Sequence, residues 1–314
     1  MVWLLVGGAG YIGSHVVDLL SKSGEQVFVF DNFQSGNLDL IKDKCDYMEG
    51  DISSNRDLTK LFRTKSFEGV INLAALKSIQ ESVNNPISYS NINHLRVKSL
   101  IDFCIEFKVE YFLQSSTAAV YGIPDSGIAS ESTPTIPISH YGDTKLAAEQ
   151  VLEDAINAGK LRGISLRYFN VVGAKSGEYI DKSGSNLFPI LTRAIQGRRP
   201  LQVYGNNHPT PDGTCIRDYI HVLDLAHAHL LTINALRQRE LPLNLNLGSG
   251  VGHSVLEVIS EMFKFHNLEL PIDFLPKREG DAAKLIANVD LMVKELGFKP
   301  LRKLHEMVES INAQ

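Results

Sequence analysis

Short apolar runs alternate with amphipathic stretches along the first half of the chain. The apolar runs predict strands at residues 2–6, 26–30, 47–52, 69–73, 111–115 and 163–168. Apolar periodicity predicts helices at 12–23 and 141–158. This alternation indicates βαβ units on a doubly wound parallel α/β sheet. Each strand ends in small or polar residues, which suits the carboxyl edge where such sheets bind ligands.

The pattern changes after Asn170, where glycines, prolines and polar loops become denser, as at 175–185 and 205–213. Residues 217–231 predict a strand and helix that return to the first domain, and 255–265 and 290–296 predict further helices. We therefore expect a first domain of 1–169 with a return at 215–235. The expected second domain is a smaller, irregular α/β unit formed by 170–214 and 236–314.

A glycine loop follows the first strand directly, with the sequence Gly7-Gly8-Ala9-Gly10-Tyr11-Ile12-Gly13. Strand, glycine turn and helix form the context of a Rossmann dinucleotide-binding loop, in which the pyrophosphate sits on the helix N-terminus. Asp31 ends the second strand and lies eighteen positions after Gly13. A carboxylate there accepts hydrogen bonds from both ribose hydroxyls of adenosine and repels a 2′-phosphate, so the sequence predicts NAD rather than NADP. The alternative is an ordinary glycine turn with a surface aspartate.

Composition narrows the possible partners. The chain has 314 residues, 44% hydrophobic and 21% charged, with a formal net charge of −5. This balance, without blocks of like charge, argues against nucleic acid or an anionic membrane as the main partner. No apolar run approaches the roughly 20 residues of a membrane helix. Cys45, Cys104 and Cys215 lack CxxC spacing, which indicates free thiols and a cytoplasmic protein.

Three histidines, His221, His227 and His229, lie close together in the sequence. Their apolar neighbours favour a buried strand and helix, and no cysteine or carboxylate cluster completes a ligand set. We therefore predict no metal site.

A tyrosine and a lysine, Tyr141 and Lys145, lie four residues apart at the start of a predicted helix, on one face. A nearby ammonium favours the phenolate and lowers the pKa of the phenol, so Tyr141 is a candidate general base. Lys145 is the residue expected to lower that pKa, and it is also a candidate ribose ligand. Ser115-Ser116-Thr117 stand at the end of the fifth predicted strand, and a hydroxyl there, such as that of Thr117, can form hydrogen bonds with both a substrate hydroxyl and the phenol. The alternative is a surface tyrosine and lysine without a role.

Several blocks of sequence carry a resemblance that runs nearly end to end. They include the glycine loop, Gly50-Asp51-Ile52, Ala74-Ala75-Leu76-Lys77, Val120-Tyr121-Gly122, Tyr141-x-x-x-Lys145, Leu166-Arg167-Tyr168-Phe169-Asn170, Asn186-Leu187, Arg217-Asp218-Tyr219-Ile220-His221 and Arg278-Glu279-Gly280-Asp281. The chain resembles the extended short-chain dehydrogenase/reductase family, and within it the enzymes that epimerise UDP-hexoses at C4.

The resemblance implies two sets of binding residues. NAD is expected at Gly7, Gly10, Tyr11, Ile12, Gly13, Asp31, Asn32, Asp51, Ile52, Leu73, Ala74, Ala75, Lys77, Asn93, Tyr141, Lys145 and Tyr168. The UDP-sugar is expected at Thr117, Tyr141, Asn170, Asn186, Leu187, Gln202, Val203, Tyr204, Arg217, Arg278, Asp281 and Leu285. Arg217 and Arg278 would each fork onto the diphosphate; for either arginine alone, a surface ion pair is the alternative.

The residues after Thr117 narrow the implied reaction. Dehydratases of the family carry an Asp-Glu pair there, whereas this chain has Ala118-Ala119, whose methyl groups transfer no protons. The resemblance thus implies oxidation of a UDP-hexose at C4 to a 4-keto sugar, rotation and re-reduction. UDP-glucose and UDP-galactose are the expected substrates. Leu285 replaces a tyrosine of some members, so UDP-GlcNAc and UDP-GalNAc are further candidates.

Other interpretations stay open. They are epimerisation of UDP-xylose/UDP-arabinose or UDP-glucuronate, net NAD-dependent oxidoreduction, and a silent NAD-sensing or scaffold protein. One family contact is in doubt, because an Asn-Asn pair reads Ile92-Asn93 here. The resemblance also implies a homodimer through 93–107 and 146–158. Since an epimerase takes back every hydride, we expect NAD to co-purify.

Overall fold

The computed structural model describes residues 1–181, 184, 186–278 and 280–312. Its strands are β1 (Val2–Val6), β2 (Gln26–Asp31), β3 (Asp46–Glu49), β4 (Gly69–Asn72), β5 (Tyr111–Thr117), β6 (Ile128–Ala129), β7 (Arg162–Tyr168), β8 (Asn170–Val172), β9 (Leu201–Tyr204), β10 (Ile216–His221), β11 (Asn244–Leu247), β12 (Gly252–Ser254), β13 (Ile272–Leu275) and β14 (Lys284–Ala287). Its α-helices are α1 (Tyr11–Lys22), α2 (Asn55–Thr64), α3 (Ile79–Asn84), α4 (Pro86–Ser90), α5 (Arg96–Glu106), α6 (His140–Asn157), α7 (Leu187–Gln196), α8 (Val222–Gln238), α9 (Val255–His266), α10 (Asp290–Leu296) and α11 (Leu304–Asn312). Shorter 3₁₀ turns span Leu38–Leu40, Ala118–Tyr121 and Gly177–Tyr179, and a π turn spans Asn91–Leu95.

The first half of the fold is built around a seven-stranded sheet with the strand order β11-β7-β5-β4-β1-β2-β3. All its strands are parallel. The chain order reverses at β1, between β4 and β2, so the loops after β1 and β4 open at a topological switch point. The predicted doubly wound α/β fold is confirmed.

Alternate residues of the central strands pack on opposite faces of the sheet. Leu5 and Val29 belong to the apolar cluster that includes residues of α1 and α8. Leu4 and Phe30 belong to the cluster that includes residues of α2, α5 and α6. This period of two, buried on both faces, explains why the strands read as continuous apolar runs.

Two smaller sheets are built by the later part of the chain together with β6. One has the order β12-β10-β14-β6, with β8 also paired to β10, and the other pairs β13 with β9. Their core joins Phe188 and Leu191 of α7 to Val258 and Met262 of α9 and to Val308 of α11. None of the helices within the described ranges is long and apolar enough to cross a membrane.

Two strands differ from the sequence-based expectation. β10 joins a smaller sheet instead of the first one, because the buried Asp218 carboxylate accepts the N–H groups of Ser249, Gly250 and Ala287. β11 comes from the segment expected in the second domain, yet it lies at the edge of the seven-stranded sheet beside β7. Its Leu245 side chain enters the sheet's core. Helix α8 packs on α1 in the first half, as expected.

Candidate active site

The glycine loop after β1 is shaped for close backbone approach. Gly7 has φ +78°, a conformation that side chains disfavour. A Cβ on Gly13 would overlap the carbonyl oxygen of Gly7, so α1 packs directly against the turn. Gly10 caps α1 and supplies no side-chain hydrogen bond. The first N–H groups of α1 therefore remain available to an anion such as a pyrophosphate.

Asp31 is fixed by backbone donors beside this loop. Its Oδ2 accepts the N–H of Ala9 at 2.9 Å, and its Oδ1 accepts the N–H of Phe33 at 2.9 Å. Burial raises the pKa of Asp31, and these backbone hydrogen bonds act in the opposite direction. The carboxylate is thus held at the end of β2 in the position expected of a ribose ligand.

Asn32 and Asp51 lie together at the neighbouring strand ends. Asn32 Nδ2 donates to Asp51 Oδ2 at 2.8 Å, and the N–H of Ser53 donates to Asp51 Oδ1 at 2.7 Å. They line an open groove of about 400 Å³ together with Glu49, Gly50 and Asp57. Ile52 is buried in the adjoining core. The groove lies at the carboxyl edge of the sheet, where doubly wound folds bind their ligands.

The segment of Leu73, Ala74, Ala75 and Lys77 crosses the open edge of the glycine loop. Leu73 N–H donates to Val6 at 2.8 Å. Only the missing side chain of Gly7 lets Ala74 pass, since its nitrogen lies 2.7 Å from the Cβ position at Gly7. Lys77 Nζ lies 3.4 Å from a carboxylate oxygen of Asp181.

Asn93 supports that segment from behind. Its Oδ1 accepts the N–H of Leu76 at 2.8 Å, and its Nδ2 donates to the Leu76 carbonyl at 2.9 Å and to Thr144 Oγ1 at 3.3 Å. The residue is fully buried. These hydrogen bonds join the loop to α6, and the contact of Asn93 with NAD stays a prediction.

The tyrosine and lysine meet the end of β5. Ser139 caps α6 by accepting the N–H of Gly142 at 3.1 Å, which places Tyr141 in the first turn. The side chain of Thr117 lies close enough to the Tyr141 phenol to act on its pKa, in the lowering direction. Lys145 is 3% exposed, and its Nζ donates to Ser115 Oγ at 3.4 Å.

Tyr168 stands beside Thr117 on the neighbouring strand β7. Its hydroxyl is hydrogen-bonded to the ring of His229 on α8, with 2.7 Å between Oη and Nε2. The ring therefore borders the end of β5 from the α8 side of the sheet.

The expected lowering of the pKa of Tyr141 does not occur in the protein alone. Burial raises the pKa of Tyr141 to about 12, and the Thr117 side chain offsets only part of this shift. Burial also lowers the pKa of Lys145 to about 8, against the opposing charge of Glu149. Desolvation of both charged forms is the physical reason, and the sequence spacing does not show it.

Arg217 and Arg278, the two arginines predicted to bind the diphosphate, lie in the part of the site predicted to bind the UDP-sugar. We call this the second half of the site, and the part predicted to bind NAD the first half. Arg217 on β10 forms an ion pair with Asp281 and donates to the Ile216 carbonyl at 2.9 Å. Leu285 on β14 is the register partner of Arg217. The exposed Arg278 guanidinium lies 4.0 Å from the ring centroid of Tyr204. Glu279, quoted in the same motif, lies outside the described residues.

The remaining predicted substrate residues differ in their exposure to solvent. Asn170 and Asn186 are exposed, and their Nδ2 atoms donate to the Asp218 carbonyl at 3.0 Å and to Asp181 Oδ2 at 2.8 Å. Leu187 is half-buried at the start of α7. Gln202 and Tyr204 are exposed on β9, whereas Val203 between them is buried in the core.

Two residues near the site carried no signal in the sequence. Asp181 is 8% exposed and contacts both Lys77 and Asn186, so it links the two halves. Tyr89 packs edge-on against Tyr141, with ring centroids 6.5 Å apart. Both contacts join segments distant in the chain, and no local spacing could have indicated them.

The histidines singled out in the sequence have protein partners. His221 Nε2 is 3.0 Å from Ser310 Oγ, and His229 contacts Tyr168. His227 packs edge-on against Phe298. Across the described part of the chain, no three His, Cys, Asp or Glu side chains are grouped as a metal ion would require.

A glycine loop and a tyrosine–lysine pair, with the lysine buried, at the carboxyl edge of a parallel sheet define a dinucleotide-dependent α/β enzyme. Sequence comparison gives the family: residues 3–248 match the model of the NAD dependent epimerase/dehydratase family. The chain belongs to this family.

Individual relatives are similar over almost the whole chain. A UDP-glucose 4-epimerase of Halalkalibacterium halodurans is 41% identical, covering 98% of this chain and 94% of the relative. UDP-glucose-4-epimerase from Stenotrophomonas maltophila, solved with NAD and formylated UDP-arabinopyranose, superposes with TM-score 0.94 at 34% identity, covering 99% and 96% of the two chains. That from Bifidobacterium longum, in complex with NAD+ and UDP, gives 0.92 at 33%, covering 99% and 97%.

Proposed function

We propose that this protein is an NAD-dependent isomerase that interconverts UDP-glucose and UDP-galactose by epimerisation at C4. The relatives named above carry that activity in their names, and two of the solved structures hold NAD. One observation supports the proposal most strongly. The Thr117 side chain at the end of β5 lies close enough to the Tyr141 phenol to act on its pKa, and the next residues are alanines that cannot support elimination.

The residues present fit NAD. The cradle at Gly7 and Gly13 admits the pyrophosphate, and Asp31 accepts the adenosine ribose hydroxyls. Asp51 and Asn32 line the adenine groove. Lys145 would bind the nicotinamide ribose. When bound, the oxidised cofactor accepts a hydride from C4 and later returns it.

Tyr141 moves the proton in this scheme. Its phenolate takes the proton of the C4 hydroxyl, and Thr117 holds both oxygens in line. Burial opposes the phenolate, so the positive charge of Lys145 must stabilise it within the low-dielectric site. After rotation of the keto sugar, Tyr141 returns the proton to the C4 oxygen as the hydride comes back.

The second half of the site anchors UDP. Arg217 and Arg278 bind the diphosphate, and each can exchange its protein partner, Asp281 or the Tyr204 ring, for phosphate oxygens. Asn186, Leu187 and the outward residues of β9 hold the uridine. Rotation of the keto sugar requires that the hexose be held less firmly than UDP.

The test is incubation of the purified protein with UDP-galactose, with product analysis and ultraviolet absorbance recorded together. We expect UDP-glucose to form without net NADH. Stoichiometric NADH would identify a net oxidoreductase, and no conversion would identify a silent NAD-binding protein. UDP-xylose and UDP-glucuronate are offered in parallel. If only one of these is converted, that sugar and not a UDP-hexose is the substrate.

We also propose that the hexose pocket admits N-acetylated sugars. Leu285 lies beside Arg217 and packs against the apolar cluster that includes Ala118 and Phe169, and this position supports a role beside the sugar. A leucine leaves more room than a tyrosine. We expect the unaltered protein to turn over UDP-GalNAc. We expect Leu285→Tyr to lose this activity and to keep its turnover of UDP-galactose. No detectable reaction of the unaltered protein with UDP-GalNAc would refute this extension.

We propose a cytoplasmic homodimer as the working form. Helices α5 and α6, which contain most of the expected dimer segments, pack side by side in one protomer. The three cysteines are free thiols, which suits a reducing compartment. Light scattering after size-exclusion chromatography is expected to give twice the 34.8 kDa chain mass; a monomer would contradict the dimer.

We propose a division of labour between two domains. Residues 1–169 with the return at 215–235 bind NAD, and 170–214 with 236–314 bind the UDP-sugar. The position of β11 in the large sheet adds one strand of the later segment to the NAD-binding part. Limited proteolysis with and without UDP is the test, since UDP is expected to protect the later segments selectively. Protection confined to 1–169 would contradict the division.

A further inference from the structure

A buried ion pair lies one helical turn behind Lys145. Glu149 on α6 and Arg167 on β7 are each 4% exposed. The Arg167 Nη2 donates to Glu149 Oε2 at 2.6 Å, and its Nε lies 3.0 Å from Oε1 and 3.2 Å from Oε2. Both ends of the carboxylate are thus gripped by one planar guanidinium.

Further hydrogen bonds hold both members in place. Ser116, the register partner of Arg167, donates to Glu149. Arg167 Nη1 donates to the hydroxyl of Tyr121 at 2.9 Å, and that hydroxyl donates to Asn246 Oδ1 at 2.6 Å. The network therefore fixes a carboxylate on the face of α6 that carries Lys145.

Stability alone is a weak reason for such a pair. Removing two charges from water costs several kcal/mol for each ion, and apolar residues of similar size are often as stable. A fixed negative charge has a second effect here. Lys145 is buried, where the neutral amine is favoured, and Glu149 is the neighbour whose charge acts against that preference.

We propose that Glu149, held by Arg167 and Ser116, is a positioning residue that keeps Lys145 charged. It thereby sets the pH range over which Tyr141 exchanges protons. This inference rests on the proposed roles of Tyr141 and Lys145. Removing the Glu149 charge leaves Arg167 to repel the ammonium, whereas removing the Arg167 charge leaves Glu149 to attract it, so the two changes act in opposite directions.

Other titratable groups face this region from each packed element. They are Tyr141 on α6, Tyr168 on β7, Tyr121 on the 3₁₀ turn, Tyr89 on α4 with Glu81 on α3, Cys104 on α5, His229 behind Tyr168, and Glu131 near Tyr121. Glu149 differs from the other carboxylates of this region, Glu81 and Glu131, because it lies on the same face of α6 as Lys145, one turn away. Its charge raises the pKa of Lys145.

The experiment measures the charge of Lys145 directly, by nuclear magnetic resonance titration of lysine labelled with carbon-13 at Cε. The Lys145 signal is assigned by its loss in Lys145→Met. We expect Glu149→Gln to lower the titration midpoint by about one pH unit and Arg167→Met to raise it by about one pH unit. Unchanged midpoints, or midpoints shifted in the same direction, would overturn the proposal whatever reaction the protein catalyses.

The pH profile of kcat gives the second readout. In Glu149→Gln we expect the alkaline limb to move down by about one pH unit, with about tenfold lower kcat on that limb and little change in KM. Glu149→Asp, which keeps the charge, should restore the limb, and it tests the proposal even if Glu149→Gln does not fold. A uniform loss of kcat at every pH in both variants would reduce the pair to a structural role.

The matched control is Glu68→Gln. Glu68 is also a buried carboxylate paired with an arginine, with 2.7 Å between Arg237 Nε and Glu68 Oε1. It lies just before β4, at the opposite end of the strands. We expect lower stability and an unchanged Lys145 midpoint; a shift as large as that of Glu149→Gln would show that the effect is not specific to the site.

Discussion

The two halves of the site hold their polar groups differently. In the dinucleotide half, Asp31 and Lys145 are buried and bonded to backbone amides or to a buried serine hydroxyl. In the nucleotide-sugar half, Arg278 is exposed over an aromatic ring, and Arg217 is paired with a partly exposed aspartate.

This difference indicates which ligand stays and which leaves. Groups fixed by buried hydrogen bonds need no rearrangement to bind, so the dinucleotide half is preorganised for a resident cofactor. The arginines hold partners that phosphate oxygens can replace, which suits a substrate that exchanges in each turnover. The variants below are chosen to separate these two behaviours, starting with the largest expected effect.

Tyr141→Phe removes the hydroxyl that transfers the proton. We expect kcat to fall on the order of 10²- to 10⁴-fold, since this is the usual contribution of a general acid–base group. NAD should remain bound, because the cradle and Asp31 are untouched. Tyr111→Phe, a change on the same strand as Thr117 but at its opposite end, is the control. Near-normal turnover of Tyr141→Phe would exclude Tyr141 as the base.

Gly13→Ala tests the preorganised cradle. The added Cβ would overlap the Gly7 carbonyl, so the loop must shift. A strain of about 1–3 kcal/mol corresponds to about five- to 150-fold weaker NAD binding, measured by cofactor content and calorimetry. Gly24→Ala is the control for backbone strain without overlap, because Gly24 has positive φ but no atom lies within 4 Å of its Cβ position. Full NAD retention in Gly13→Ala would contradict the cradle.

Arg278→Ala tests the exchangeable half. Loss of a charge-assisted hydrogen bond costs about 1.5–3 kcal/mol. We therefore expect KM for UDP-galactose to rise about ten- to a hundredfold, with a smaller change in kcat and unchanged NAD content. Arg199→Ala, an exposed arginine after α7, is the control. A loss of NAD in Arg278→Ala would break the separation between the halves.

Acid sensitivity gives the smallest effect. Burial lowers the pKa of His229 to about 4 and that of His15 to about 4. The unfolded chain binds these protons near pH 6.5, so stability is complete above that pH and falls as the pH drops toward 4. One such histidine accounts for about 2 kcal/mol at pH 5. Urea unfolding of His229→Gln should show a shallower loss between pH 7 and 5; an equal slope would argue against burial of a neutral His229.

The features predictable from sequence are those set by local pattern. The glycine loop, Asp31 at the end of β2, and the pair of Tyr141 and Lys145 each follow from spacing along one strand or helix. The structure places all of them at the expected edge of the sheet.

The features missed depend on contacts between distant segments. β11 pairs with β7 although residues 169–243 lie between the two strands in the sequence, and Asp181 links Lys77 to Asn186 across the site. The pKa of Tyr141 depends on burial, which raises it although a lysine lies one turn away. Neither strand partners nor desolvation can be deduced from residue spacing.

The most direct test of a resident cofactor and an exchanging substrate is the NAD content and activity of one purified sample after exhaustive dialysis. We predict close to stoichiometric NAD, released only on denaturation, and conversion of UDP-galactose to the equilibrium mixture with UDP-glucose without added NAD. A dialysed protein that lacks NAD and is active only when NAD is supplied would contradict the account.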